Sequence, residues 1–156
     1  MMLADFPVTI QYAQVLVQSE SRAAAGLLWT DEHVAQGFAW SEGLVSFGVP
    51  DHDGTSRIEV ELARDAVLNP RALWAVQVPF RVTGPLQIGT LFDTRGVTVP
   101  NGGYDLTYQA FPGAEGHAYV LRLTFSQSAA PAFRILKTGG DITADTILRR
   151  DAEAAR

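Results

Sequence analysis

The chain contains no cysteine among its 156 residues. Disulfides, thiolate metal sites and cysteine nucleophiles are therefore excluded. Long apolar runs are missing as well, and none approaches the ~20 residues a helix needs to cross a bilayer. The opening residues Met1 to Pro7 lack a basic stretch followed by an apolar block, so no secretory signal is expected and a cytoplasmic protein is. Positive charge is the scarcer sign, with 12 Lys and Arg against 17 Asp and Glu and a net charge of −5. There is no internal repeat, linker or low-complexity block. One domain spanning residues 1–156 is the expectation, with residues 138–156 as a helical or frayed tail.

What remains is ordinary globular material. At 47% hydrophobic and 19% charged, the composition is that of a packed domain and not of an acidic disordered chain. A chain of this length buries roughly 68–70% of its extended surface, enough for a core without covalent staples. The negative charge is concentrated. Eight acids (Asp31, Glu32, Glu42, Asp51, Asp53, Glu59, Glu61 and Asp65) face only Arg57 and Arg64 between residues 31 and 65, a local net of −6. Such a field disfavours direct contact with nucleic acid and favours a cationic protein surface; its plainer reading is a solvated face that maintains solubility.

Strand patterns dominate. Val8, Ile10 and Tyr12 alternate with polar residues and Val15 and Val17 follow, predicting a strand from Pro7 to Gln18 with a bulge or bend near Ala13-Gln14. Val45 to Val49 reads as a strand closed by Pro50, and Arg57 to Leu62 alternates cleanly with Ile58, Val60 and Leu62 inward. Trp74 to Val82 is another, put at an edge or a bulge by Pro79, which cannot donate to a ladder. Leu86–Phe92, Val97–Val99, Tyr104–Phe111, Ala118–Phe125 and Phe133–Lys137 complete the set. Eight or nine short strands at this spacing predict an all-β fold, an antiparallel β-sandwich or a jelly-roll-like barrel.

Helix is expected in two places. Asp31–Gln36 has Thr30 or Asp31 as N-cap, acids in the first turn and Gly37 to end it. Thr143–Arg156 is rich in Ala, Glu and Arg but poor in apolar residues, giving a C-terminal helix that docks weakly or frays.

Each cluster that could carry chemistry has a structural explanation. Asp51-His52-Asp53-Gly54 offers two carboxylates and an imidazole, yet Asp and Gly at this density between strands mark a tight turn, and no further oxygen ligands follow. His33 beside Asp31 and Glu32 has no nucleophile at a matching spacing and reads as an exposed helix histidine. His117 opens a strand, and three scattered histidines make no zinc site. Ser46 does not lie in a nucleophile elbow, and Gly102-Gly103 and Gly139-Gly140 lack the Lys and Ser/Thr of a phosphate loop. Glu59 and Glu61 would share one strand face about 7 Å apart, a spacing loosely like that of a glycosidase pair. With Ile58, Val60 and Leu62 behind them, a solvated or acidic binding face is expected. Trp29, Trp40 and Trp74 are core or interface residues, with Trp29 and Trp40 bracketing the short helix and at least one of them pinning it. No cofactor, no metal and no catalytic residue is expected.

The run Trp29-Thr30-Asp31-Glu32-His33-Val34-Ala35-Gln36-Gly37-Phe38-Ala39-Trp40, continuing through Gly43-Leu44-Val45-Ser46-Phe47, resembles the competence protein J family. The resemblance extends through Val78-Pro79-Phe80, Ile88-Gly89 and Val99 to Leu106, about Val8 to Lys137 in all. The acidic loop Asp51–Gly54 and the tail after Lys137 depart from it. The resemblance implies a non-enzymatic protein that binds and blocks a DNase of the DNA-entry type. An acidic surface could occupy that nuclease's phosphate groove, with aromatic anchors adding affinity. The residues expected to touch the partner are Asp31, Glu32, His33, Trp40, Glu42, Asp51, Asp53, Glu59 and Glu61. The alternatives are a carbohydrate- or protein-binding β-sandwich module and, more remotely, a hydrolase using Glu59/Glu61 or His33.

Overall fold

The structure, a computed structural model, describes residues 1–10, 13–20, 26–50, 54–90, 93–114 and 116–154. Over these residues it is an all-β sandwich with one short helix. With strands numbered along the chain, one sheet has the order β1 (Met2–Thr9), β5 (Thr55–Leu62), β10 (Tyr119–Gln127), β9 (Gly102–Pro112), β6 (Trp74–Val82) and β11 (Arg134–Lys137). The other has the order β3 (Phe38–Ser41), β4 (Leu44–Gly48), β2 (Gln14–Ser19), β7 (Leu86–Thr90) and β8 (Asp93–Val97). Neighbours are antiparallel except β5 and β10, which run parallel.

The period-2 patterns explain the faces. In β5, Ile58 and Val60 are fully buried while Arg57, Glu59 and Glu61 point outward, since successive side chains on a strand take opposite faces. Aromatic rings fill the space between sheets. Phe47 of β4 stacks on Tyr108 of β9 with centroids 4.7 Å apart, and Phe125 meets Tyr104 edge-on at 5.6 Å. Tyr108 Oη also donates to Gly48 O at 2.8 Å, a polar bond that joins the two sheets through the core.

The segment Pro7–Gln18 is not one bent strand. The phase shift near Ala13 marks a corner where the chain leaves the six-stranded sheet as β1 and enters the five-stranded one as β2. Ala13 adopts a positive φ of 49° there. Pro79 sits where its missing N–H is harmless: β11 pairs with β6 only over Ala75 to Gln77, so Pro79 lies on a locally open edge.

Each outer face is covered in part. Residues 63–73 connect β5 to β6 and so cross β10 and β9 on the outer face of the six-stranded sheet. Gln109, fully buried, holds this connection: its Oε1 accepts from Asn69 N at 2.8 Å and its Nε2 donates to Val67 O at 3.0 Å. On the other sheet, Leu27, Ala39 and Leu44 form a second small apolar cluster with Trp29 and Ala152.

Helix α1 (Asp31–Gln36) has the expected limits. Thr30 is its N-cap, and Gly37, at φ 87°, ends it in the left-handed conformation with its N–H on His33 O. The C-terminal helix is a correction, because residues 143–154 are not helical. Leu27 and Ala154 form a β-bridge, and Leu28 N donates to Glu153 O at 2.7 Å. Gln36 explains why the Ala-rich composition does not prevail. Its Oε1 accepts from Leu148 N and Arg149 N at 3.0 and 2.9 Å, and its Nε2 donates to Arg149 O and Phe38 O at 2.7 and 3.0 Å. All four hydrogen-bonding positions of a buried amide are used, and three of them bind main-chain groups that a helix would have satisfied internally. Tertiary bonding overrides a weak local propensity.

Candidate partner interface

The acidic stretch is dispersed by the fold. Asp31 and Glu32 are exposed in the first turn of α1, where the helix N-terminus favours negative charge. Glu42 is exposed in the β3–β4 turn. Glu59 and Glu61 lie on the outer face of β5, half-buried and engaged. Arg122 binds Glu59 Oε1 through Nη2 at 2.8 Å and Nε at 2.9 Å, and Thr124 Oγ1 donates to Glu61 Oε1 at 2.7 Å. A neighbouring ion pair joins Arg57 to Asp5. Asp51, His52 and Asp53 lie outside the described residues. Among the described residues, no three His, Asp or Glu side chains gather as a metal-holding group.

His33 is a second correction. It is not an exposed helix histidine but only 1% exposed. Nδ1 accepts from Thr30 N at 2.9 Å, which leaves Nε2 as the protonated nitrogen donating to Asp151 O at 2.8 Å. The imidazole thus plays the reciprocal part of a capping box and at the same time ties the C-terminal strap to the helix. Buried in this way, His33 can shape a contact surface without itself touching a partner.

The three tryptophans divide. Trp40, half-buried on β3, donates Nε1–H to Pro79 O at 2.8 Å and meets Phe133 edge-on at 5.2 Å, so it joins the sheets and does not pin the helix. Trp29 does, edge-on to His33 with centroids 6.3 Å apart. Trp74 is 8% exposed and belongs to the core. Trp29 and Trp74 also meet at one cleft of about 220 Å³, with Val34 and Gly37 of α1, the end of β4 and the loop carrying Asp141 and Ile142. Their indole nitrogens are buried and meet no acceptor among the described residues. A donor left so costs about 1–3 kcal/mol.

The family model of competence protein J (ComJ) matches residues 7–126. The chain belongs to the ComJ family. In three dimensions it is similar to the crystal structure of ComJ from Bacillus subtilis, described as the inhibitor of the DNA-degrading activity of NucA. The TM-score is 0.70 at 21% identity, covering 82% of this chain and 98% of that one, a likeness of fold. A chain described as crocagin biosynthetic gene J superposes at TM-score 0.46 and 16% identity, over 78% of this chain and 97% of that one. No curated protein sequence matches the chain. The residues matched to the ComJ family include α1, Trp29 and Trp74, whereas the strap with Asp141, Ile142 and Asp151 lies beyond them. The strap and the cleft escaped the sequence pattern because the lining of the cleft comes from five separate segments of the chain. One signal was present: Gly139-Gly140, read as a turn, lies against Trp74, where a Cβ on Gly140 would fall 2.4 Å from the indole.

Proposed function

We propose that this protein is a stoichiometric, non-enzymatic inhibitor of a DNase of the DNA-entry type, acting in the cytoplasm through an acidic and aromatic surface. The observation that carries this reading is the ComJ family match across residues 7–126, joined to a fold similar to that of a ComJ described as inhibiting NucA. The acids best suited to meet a cationic groove are Asp31, Glu32 and Glu42, which are exposed. Asp51 and Asp53 extend the same set by sequence. Glu59 and Glu61 contribute less, since Arg122 already offsets Glu59 and Thr124 occupies Glu61. Trp40 belongs at the rim, beside Glu42, and gives apolar area more than hydrogen bonding.

The test is titration of the DNA-entry-type DNase of the same cell with purified protein, following DNA degradation. Inhibition should reach completion at a fixed molar ratio. The combined Asp31→Lys and Glu32→Lys change should weaken it about tenfold at low salt, with less effect at high salt. Undiminished nuclease activity at excess wild-type protein would falsify the inhibitor reading. Unaltered inhibition by the charge-reversed protein would remove only the acidic mechanism.

A further inference from the structure

Helix α1 has six residues, well under the ~12 at which an isolated helix begins to hold in water, and much of what holds it comes from the far end of the chain. Thr143 N and Ala144 N both donate to Ala35 O at 3.0 Å, and Gln36 bonds to Leu148 and Arg149. Leu28 N, just before the helix, donates to Glu153 O at 2.7 Å. The buried ring of His33 belongs to the same fastening, and only one of its charge states fits. Nδ1 accepts from Thr30 N at 2.9 Å and so must carry a lone pair, while Nε2 must carry the hydrogen donated to Asp151 O at 2.8 Å. A protonated ring keeps the second bond and loses the first, because Nδ1–H then confronts the N–H of Thr30. Thr30 Oγ1, 3.2 Å from Nδ1, can turn to accept from it, but the main-chain N–H has still lost its acceptor.

The charged groups around the ring do not relieve this. On α1 they are the exposed Asp31 and Glu32, and on the strap they are Arg149, Asp151 and Glu153. The Asp151 carboxylate is taken by the Arg149 guanidinium at 3.2 and 3.4 Å, and Trp29, edge-on to His33, carries no charge. A buried imidazolium is stabilised when water reaches it, and the group closed over it is the end of the strap. We propose that His33 is an acid-sensitive latch on the C-terminal strap. Neutral, it closes residues 148–154 over α1. Protonated, it releases them, and with them the fixed setting of the first turn that carries Asp31 and Glu32. The latch stands without the inhibitor reading; under that reading, acid would loosen two of the carboxylates offered to the nuclease.

Two substitutions separate the parts of the latch. Glutamine is an ordinary third residue of a capping box, so His33→Gln can accept from Thr30 N through Oε1 and donate to Asp151 O through Nε2, without titrating. His33→Glu keeps the acceptor and has no donor, so it caps the helix and leaves the strap unlatched. Because the chain has no cysteine, Glu153→Cys gives a single site for a nitroxide label whose mobility reports the strap in the full chain. Between about pH 7.5 and about pH 5.5, across which an imidazole takes up its proton, the mobile fraction should rise at least about fivefold with His33 and less than about twofold with His33→Gln. His33→Glu should leave the label mobile at both values. Nitrogen NMR of the His33 ring should show the neutral Nε2–H tautomer disappearing over the range in which the label becomes mobile. A label held equally at both pH values in the His33 protein would overturn the latch. So would an equal rise in the His33→Gln protein, which would assign the release to carboxylates. Should His33→Gln not fold, the two profiles of the His33 protein decide alone: a ring that takes up its proton while the strap stays fixed, or a strap that opens while the ring stays neutral, would overturn the proposal.

Discussion

Two covers close this sandwich, and each is fastened by a buried glutamine. Gln109 fastens residues 63–73 over the six-stranded sheet with two bonds, to Asn69 N and Val67 O. Gln36 fastens the C-terminal strap beside the five-stranded sheet, with three of its bonds going to Leu148 and Arg149. The chemistry is the same and the tethering is not. The first cover is strung between β5 and β6 and cannot drift far if its amide is lost. The second follows β11 with no later strand of either sheet among the described residues, so its position depends on side-chain bonds and on the Leu27–Ala154 bridge. A cover anchored in a strand at one end needs more hydrogen bonds than one anchored at both to hold equal order, because chain connectivity supplies less of the restraint.

That contrast can be broken most forcefully at Gln36. Gln36→Ala should cost about 2–3 kcal/mol in urea unfolding and open residues 143–154 to proteolysis. Gln36→Glu should be nearly as damaging, since a carboxylate cannot donate to Arg149 O or Phe38 O. Gln109→Ala should cost less, about 1–2 kcal/mol, and leave residues 63–73 protected. Equal proteolytic sensitivity of the two covers in the two variants would refute the role assigned to tethering.

The joint between the two sheets gives a smaller effect with a distinct pH signature. Burial pushes the Tyr108 phenol above its ordinary value of 10.0. Because the folded state resists ionising this group more than the unfolded chain does, its contribution is fully present below about pH 10 and is lost as the pH rises beyond that. Tyr108→Phe should remove the bond to Gly48 O and cost about 1 kcal/mol at neutral pH. It should also flatten the alkaline fall in stability by up to about 1.4 kcal/mol per pH unit. Chemical denaturation at neutral pH and at two values above pH 10 would measure both; an unchanged alkaline slope would contradict the assignment to Tyr108.

The elements that could be read from sequence are those whose causes are local. Alternation in Arg57–Leu62 follows from burial of one strand face, and the ends of α1 follow from Thr30 and Gly37. The all-β architecture comes from repetition of such local signals, although eleven strands occur among the described residues where eight or nine were expected. Phe38–Ser41 was missed as a strand because it follows the helix after one glycine, leaving no turn cluster to announce it. His33 misled because flanking acids usually mean solvent, whereas here Asp151 O, 118 residues away, closes over the ring. The candidate site is legible only in part. Asp31, Glu32 and Glu42 are exposed as the charge pattern suggested, but the pairing of Glu59 with Arg122 depends on which strands become neighbours.

The long-range fastening of α1 also sets an order of assembly. The sandwich strands end at Lys137, yet His33 and Gln36 wait for partners at residues 148–151. On a ribosome, where the chain emerges from its N-terminus, the helix is made early and tied down only after every described strand. For the intervening interval it is held by Trp29, its own caps and its junction with β3. A nascent chain can therefore hold every described strand of the sandwich while Ile142, a residue of its hydrophobic core, and the strap bonded to His33 and Gln36 are still missing.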